Sequence, residues 1–80
     1  MVDVLFFGKM ADIVGARTRR IDAGGMYLFT VRDDVFKSAL KDGRVTLSDI
    51  RMSINRRQVT ADVALSDGDE VAFFSIFSGG

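Results

Sequence analysis

Glu70-Val71-Ala72-Phe73-Phe74-Ser75-Ile76-Phe77 is the stretch on which the fold turns. Val71, Phe73 and Phe77 share one parity, and Ala72, Phe74 and Ile76 share the other. A strand here therefore carries apolar side chains on both faces. Such a strand belongs in the middle of a sheet. The other end of the chain repeats the pattern. Val2 to Phe7 is a short β-forming run, with Val4 and Phe6 set against Leu5 and Phe7, and Gly8 ends it. The first and last strands are expected to lie adjacent and parallel at the sheet centre.

Between them the period changes. Met10, Ile13 and Val14 stand at helical spacing over Lys9 to Val14, and Gly15 fits the C-terminal cap of one or two turns. Thr18 to Ala23 reads as a polar edge strand with Arg19 and Arg20 exposed, broken by Gly24-Gly25. Met26 to Phe29 fits no single element. Val31, Val35, Phe36, Ala39 and Leu40 share a helical face, and Thr30 with Asp33 resembles a capping box. The main helix is expected at about 30–41, stopped by Gly43. Ile50, Met52 and Ile54 alternate with polar residues, as in a half-buried strand. Asn55 to Gln58 reads as a turn, Val59 as a short return, and Ser66-Asp67-Gly68-Asp69 as a second turn. Strands gathered round one main helix make an α+β domain of the β-grasp, or ubiquitin-like, architecture: a mixed sheet of four to five strands on that helix. Residues 1–77 form the expected domain and 78–80 a C-terminal tail.

Bulk composition narrows the chemistry. A chain of 80 residues allows one small domain, and 48% hydrophobic content supplies its core. Eleven basic residues balance eleven acidic ones, so no general attraction to nucleic acid or anionic lipid is expected. With no Cys there is no disulfide, thiolate metal site or cysteine nucleophile. With no His the commonest general base and metal ligand is missing too. No metal site, bound cofactor or independent active site is expected. Met1-Val2-Asp3-Val4 lacks the features of a signal peptide, and no apolar run approaches the roughly 20 residues of a membrane span. The expected location is the cytoplasm.

What remains is the C-terminus, Gly79-Gly80. An α-carboxyl has a pKa near 3.5 and is ionised at neutral pH, when it is a poor electrophile. Glycines without Cβ can thread a narrow channel. The plainer reading is an incidental frayed end. Apolar side chains on both faces of the outer two segments also leave one sheet face for a partner, with Phe7 and Phe74 its leading members. Asp67, Asp69 and Glu70 read as a solvated hairpin turn rather than a metal site.

Val4-Leu5-Phe6-Phe7-Gly8, then Ala11-Asp12-Ile13-Val14-Gly15, then Leu65-Ser66-Asp67-Gly68-Asp69-Glu70-Val71-Ala72-Phe73-Phe74 and Ser78-Gly79-Gly80 together resemble the molybdopterin synthase small-subunit family, a ubiquitin-like sulfur-carrier group. That family commonly has proline after the paired Phe; Ser75-Ile76 stand here, and the chain has no proline. The resemblance implies that Gly80 is adenylated by a ubiquitin-activating-like adenylyltransferase that uses ATP. A sulfur donor then converts it to a thiocarboxylate, with Gly79 completing the tail. It implies a large catalytic subunit as partner, met by Phe7, Phe74, Ile76 and Val59, and sulfur transfer to cyclic pyranopterin monophosphate. A carrier for thiamine thiazole synthesis, a ubiquitin-like modifier of lysines, and a plain interaction module are the competing readings.

Overall fold

β1 (Val2–Phe6) and β5 (Glu70–Ser75) run side by side and parallel, with Asp3, Val4, Leu5 and Phe6 in register with Glu70, Val71, Ala72 and Phe73. The computed structural model describes residues 1–75. The expected tail, and Ile76 and Phe77 at the end of the last run, lie outside the described residues. β2 (Thr18–Ile21) pairs antiparallel with β1, β3 (Ile50–Ile54) pairs antiparallel with β5, and β4 (Arg57–Val59) closes the other edge. The order is β2-β1-β5-β3-β4, a mixed β-grasp sheet with the two apolar strands at its centre.

Parity sorts the two faces as the pattern requires. Val2, Val4 and Phe6 of β1, Ile50 and Met52 of β3, and Val71 and Phe73 of β5 are all buried on one face. Helices cover that face. Leu28, Val31, Phe36 and Ala39 join its core, and so does Met10 from α1 (Lys9–Val14). Three aromatic rings occupy the middle. Phe36 meets Phe6 and Phe73 edge-on, with centroids 6.0 and 5.3 Å apart, while Phe6 and Phe73 stack at 5.9 Å.

The main helix departs from the expected 30–41. It begins earlier and divides into α2 (Leu28–Val35) and α3 (Lys37–Asp42). No Thr30–Asp33 capping box forms. Tyr27 holds the N-cap position without a side-chain hydrogen bond, and the Phe29 N–H donates instead to Asp62 Oδ1 at 2.8 Å. A carboxylate 33 residues away thus satisfies a free helix N–H. Asp33 instead accepts from Arg32 Nε at 2.8 Å. The division falls at Phe36, whose φ of −99° and ψ of 15° leave the helical basin. Its ring is the one held between Phe6 and Phe73.

The β3–β4 turn is tighter than the sequence suggests, whereas Ser66 to Asp69 close the expected turn, the Asp69 N–H donating to the Ser66 carbonyl at 3.0 Å. The β3–β4 turn closes at Asn55-Arg56, both at positive φ (51° and 70°), so Arg57 and Gln58 already belong to β4. That is a two-residue turn of the type whose twist matches a hairpin. Before β5, Gly68 takes φ 90°, and its N–H donates to the Met1 carbonyl at 2.8 Å. Asp67 meets the N-terminal ammonium there. The ambiguous Met26–Phe29 segment joins the helix layer to the loop before β5: Tyr27 bridges Ala64, and the Leu28 N–H donates to the Val63 carbonyl.

Candidate functional site

β5 is the central strand, and Ser75 lies at the end of the sheet where β1 also ends. The ladder runs on past Phe6, because the Phe7 N–H donates to the Phe73 carbonyl at 3.1 Å. On the other side Ile50 stands across from Ser75. The segment that follows Ser75 therefore starts from a base held on both sides.

The sheet face opposite the helices presents Leu5 from β1 and Ala72 and Phe74 from β5, with Leu5 directly beside Ala72. Phe74 is half-buried, while Phe7 is 51% exposed. Charged and polar groups rim this apolar strip. Arg51 faces Phe74 and Ser53 faces Ala72 from β3; on the β2 side Arg20 Nε meets Asp3 Oδ1 at 3.0 Å. Ala72 is only 7% exposed although it lies on this open face between Leu5 and Ser53. An open groove of about 410 Å³ continues from this strip, lined by Leu5, Phe7, Gly8, Ala11, Asp12, Arg17 and Thr18.

Of the expected partner-binding residues, Phe7 and Phe74 are brought to the same end of the sheet. Val59 is not with them. It pairs across from Met52, whose side chain belongs to the helix-covered face, and it lines a separate groove with Phe29, Leu47 and Ile50. Ile76, Gly79 and Gly80 lie outside the described residues. Leu5 and Arg51 belong to the open face and were missed as candidates. The parity that picked out Phe74 marks Leu5 as well; Arg51 needs the β3–β5 register, which no local pattern carries.

The displaced carboxylates serve the loops. Asp69 is held below the usual carboxylate range chiefly by the Ser66 N–H and then by the Asn55 amide. Asp49 is lowered by the Thr46 N–H and hydroxyl in a capping box on the short 3-10 helix Leu47–Asp49. Asp42 is lowered by the Arg44 guanidinium. Among the described residues no group of three or more His, Cys, Asp or Glu is placed to hold a metal, and no helix is long and apolar enough to cross a membrane. The arrangement places an apolar face at the end of the sheet where Ser75 lies.

Comparison with known proteins agrees with this geometry. The ThiS family profile matches residues 4–80. The molybdopterin synthase sulfur carrier subunit of Escherichia coli (strain K12) is 33% identical over 86 residues, covering 100% of both chains. The crystal structure of SAMP1 from Haloferax volcanii superposes with a TM-score of 0.74 at 25% identity, covering 99% of this chain and 98% of that one. Urm1 of Sulfolobus solfataricus shares the fold, with a TM-score of 0.71 at 16% identity over 92% of this chain and 99% of that one.

Proposed function

The chain belongs to the ThiS family, and on that premise we propose that it is a sulfur carrier whose working group is the Gly80 carboxylate. The observation that carries this reading is the full-length similarity to a molybdopterin synthase sulfur carrier subunit, combined with a central strand whose Ser75 end lies beside an apolar face. In the specific form proposed, the carboxylate attacks ATP on an activating enzyme and releases pyrophosphate. Sulfur from a donor then displaces AMP and leaves a thiocarboxylate. The chain binds no cofactor of its own. The open face with Leu5, Phe7 and Phe74 docks on the large catalytic subunit of molybdopterin synthase, and the tail carries sulfur to cyclic pyranopterin monophosphate.

Lack of His and Cys suits this division of labour. The carrier supplies position and a terminal acyl group; the acid–base groups belong to its partners. The test is the intact mass of the chain purified from cells, expected to show one C-terminal oxygen replaced by sulfur. Reconstitution with the large subunit should then yield molybdopterin. A chain that carries sulfur but supports only thiazole formation would move the assignment to thiamine synthesis. Isopeptide adducts on other proteins, without any thiocarboxylate, would make it a protein modifier.

A further inference from the structure

The outer side of β2 is an unclaimed sheet edge. Thr18, Arg19 and Arg20 are exposed, and among the described residues β2 pairs with β1 alone. The phase of that ladder fixes which backbone groups face outward. The Phe6 N–H donates to the Arg17 carbonyl at 2.9 Å, and bonded and non-bonded pairs alternate along an antiparallel ladder. Val4–Arg19 and Val2–Ile21 are therefore the bonded pairs, and Thr18 and Arg20 turn their N–H and C=O groups away from the sheet. Among the described residues no loop bonds to either backbone. The opposite edge offers less. Phased by the bond from the Asn55 N–H to the Glu70 carbonyl, the three residues of β4 leave only Gln58 facing outward.

Outward N–H and C=O groups in this alternation bind an extended chain by adding it as a further strand. A second copy of β2 is a poor candidate. In any antiparallel register, outward residue must meet outward residue. Thr18 on Thr18 sets Arg17 against Arg19; Thr18 on Arg20 sets Arg19 against its own copy; Arg20 on Arg20 does the same for Arg20. Like charges directly opposite are destabilising. Acidic side chains reverse that sign. Asp3 already pairs with Arg20, whereas Arg17 and Arg19, which share a face, make no salt bridge among the described residues. We propose that β2 is a docking edge for an extended acidic segment of a partner protein, which bonds to Thr18 and Arg20 and sets carboxylates opposite Arg17 and Arg19.

This edge involves neither Gly80 nor Phe74, so it stands or falls apart from the carrier reading.

Hydrogen exchange reads the edge one amide at a time. In the isolated chain the Thr18 and Arg20 amides should exchange freely, and those of Arg19 and Ile21 should be protected. The probe is the end-blocked peptide Val-Glu-Val-Glu-Val in excess, which should slow exchange at Thr18 and Arg20. Val-Lys-Val-Lys-Val should act several-fold more weakly, and Val-Glu-Pro-Glu-Val, which lacks the central N–H, should have no effect. Arg19→Glu leaves the backbone bonds in place and should reverse the preference between the acidic and basic peptides. No slowing by the acidic peptide, or equal slowing by the acidic and basic ones, would overturn the proposal. So would protection of Thr18 and Arg20 that rises with the concentration of the chain alone, since a second copy would then hold the edge.

Discussion

Arg51 stands directly across from Phe74 in the antiparallel pairing of β3 with β5. Both side chains are half-buried, and the guanidinium makes no salt bridge among the described residues. The pair marks the border of the open face: Leu5, Ala72 and Phe74 form an apolar strip, with Arg51 on one flank and the Arg20–Asp3 pair on the other. An apolar centre with a charged rim is how protein interfaces are built.

Phe74→Glu should separate docking from folding. A carboxylate at this position faces Arg51, and opposite charges across a strand pair contribute about 0.2–1 kcal/mol, which offsets part of the lost apolar contact. Urea denaturation should show a folded chain. Calorimetric titration with the large subunit should show association weakened by more than about 2 kcal/mol if Phe74 is an anchor of the interface. Loss of the folded state would place Phe74 in the core instead.

Arg56→Gly should stabilise the chain by about 0.5–1 kcal/mol: left-handed backbone costs an L-residue roughly 1–2 kcal/mol, and glycine's greater freedom in the unfolded chain takes back roughly 0.5–1 of it. The φ of 70° is unstrained for glycine. The nearest acid is Glu70, 3.9 Å from an arginine side chain that is 89% exposed, so little ion-pair energy is lost. Thermal melts compared at equal concentration would check it; a lower midpoint would mean that Arg56 contributes more than its backbone costs.

Asp69 should give the folded state an acid limb. Its pKa is lowered by the Ser66 N–H first and the Asn55 amide second. Its stabilisation is therefore fully present above the unfolded value, about 3.9, and is lost as pH falls through the lower folded value. Asp69→Asn should be less stable than wild type at neutral pH, because Asp69 Oδ2 also accepts the Ser66 N–H at 2.8 Å. The gap should narrow below about pH 4. Denaturation at a series of pH values measures both; a gap that is constant with pH would exclude ionisation as its cause.

Deleting Gly80 should shift stability by no more than about 0.5 kcal/mol, as expected of a terminal residue, yet abolish sulfur transfer. The acyl carbon recedes by about 3.3 Å, and a misplacement of about 1 Å can cost a hundredfold in rate. Gly79 would still end in a carboxylate, so charge could not explain the loss. Molybdopterin yield with activating enzyme, ATP, a sulfur source and the large subunit is the readout. Wild-type yield would sink the carrier mechanism.

Val59 and Phe74 show where sequence pattern reaches and where it stops. Phe74 could be assigned to the open face because alternation along one strand is a covalent matter: successive side chains point to opposite sides. Val59 sits on a three-residue strand too short for alternation to orient it, and only its pairing with Met52 shows that it belongs to the covered face. The helix start is a similar case. Thr30 and Asp33 have the local spacing of a cap, but Asp62, 33 residues on, reaches the Phe29 N–H and sets the end two residues earlier.

The amino-acid sequence by itself determined that the runs from Val2 to Phe7 and from Glu70 to Phe77 carry apolar side chains on both faces, and that the chain has no His or Cys. These follow from residue type and from the two-residue repeat of extended backbone, both local properties. Only the tertiary structure decided which face the helices cover, that Arg51 borders Phe74, and that Arg17 shares a groove with Leu5 and Phe7. Those relationships join residues far apart in sequence. Their partners are set by strand register and by the packing of Phe6, Phe36 and Phe73, which no single segment contains.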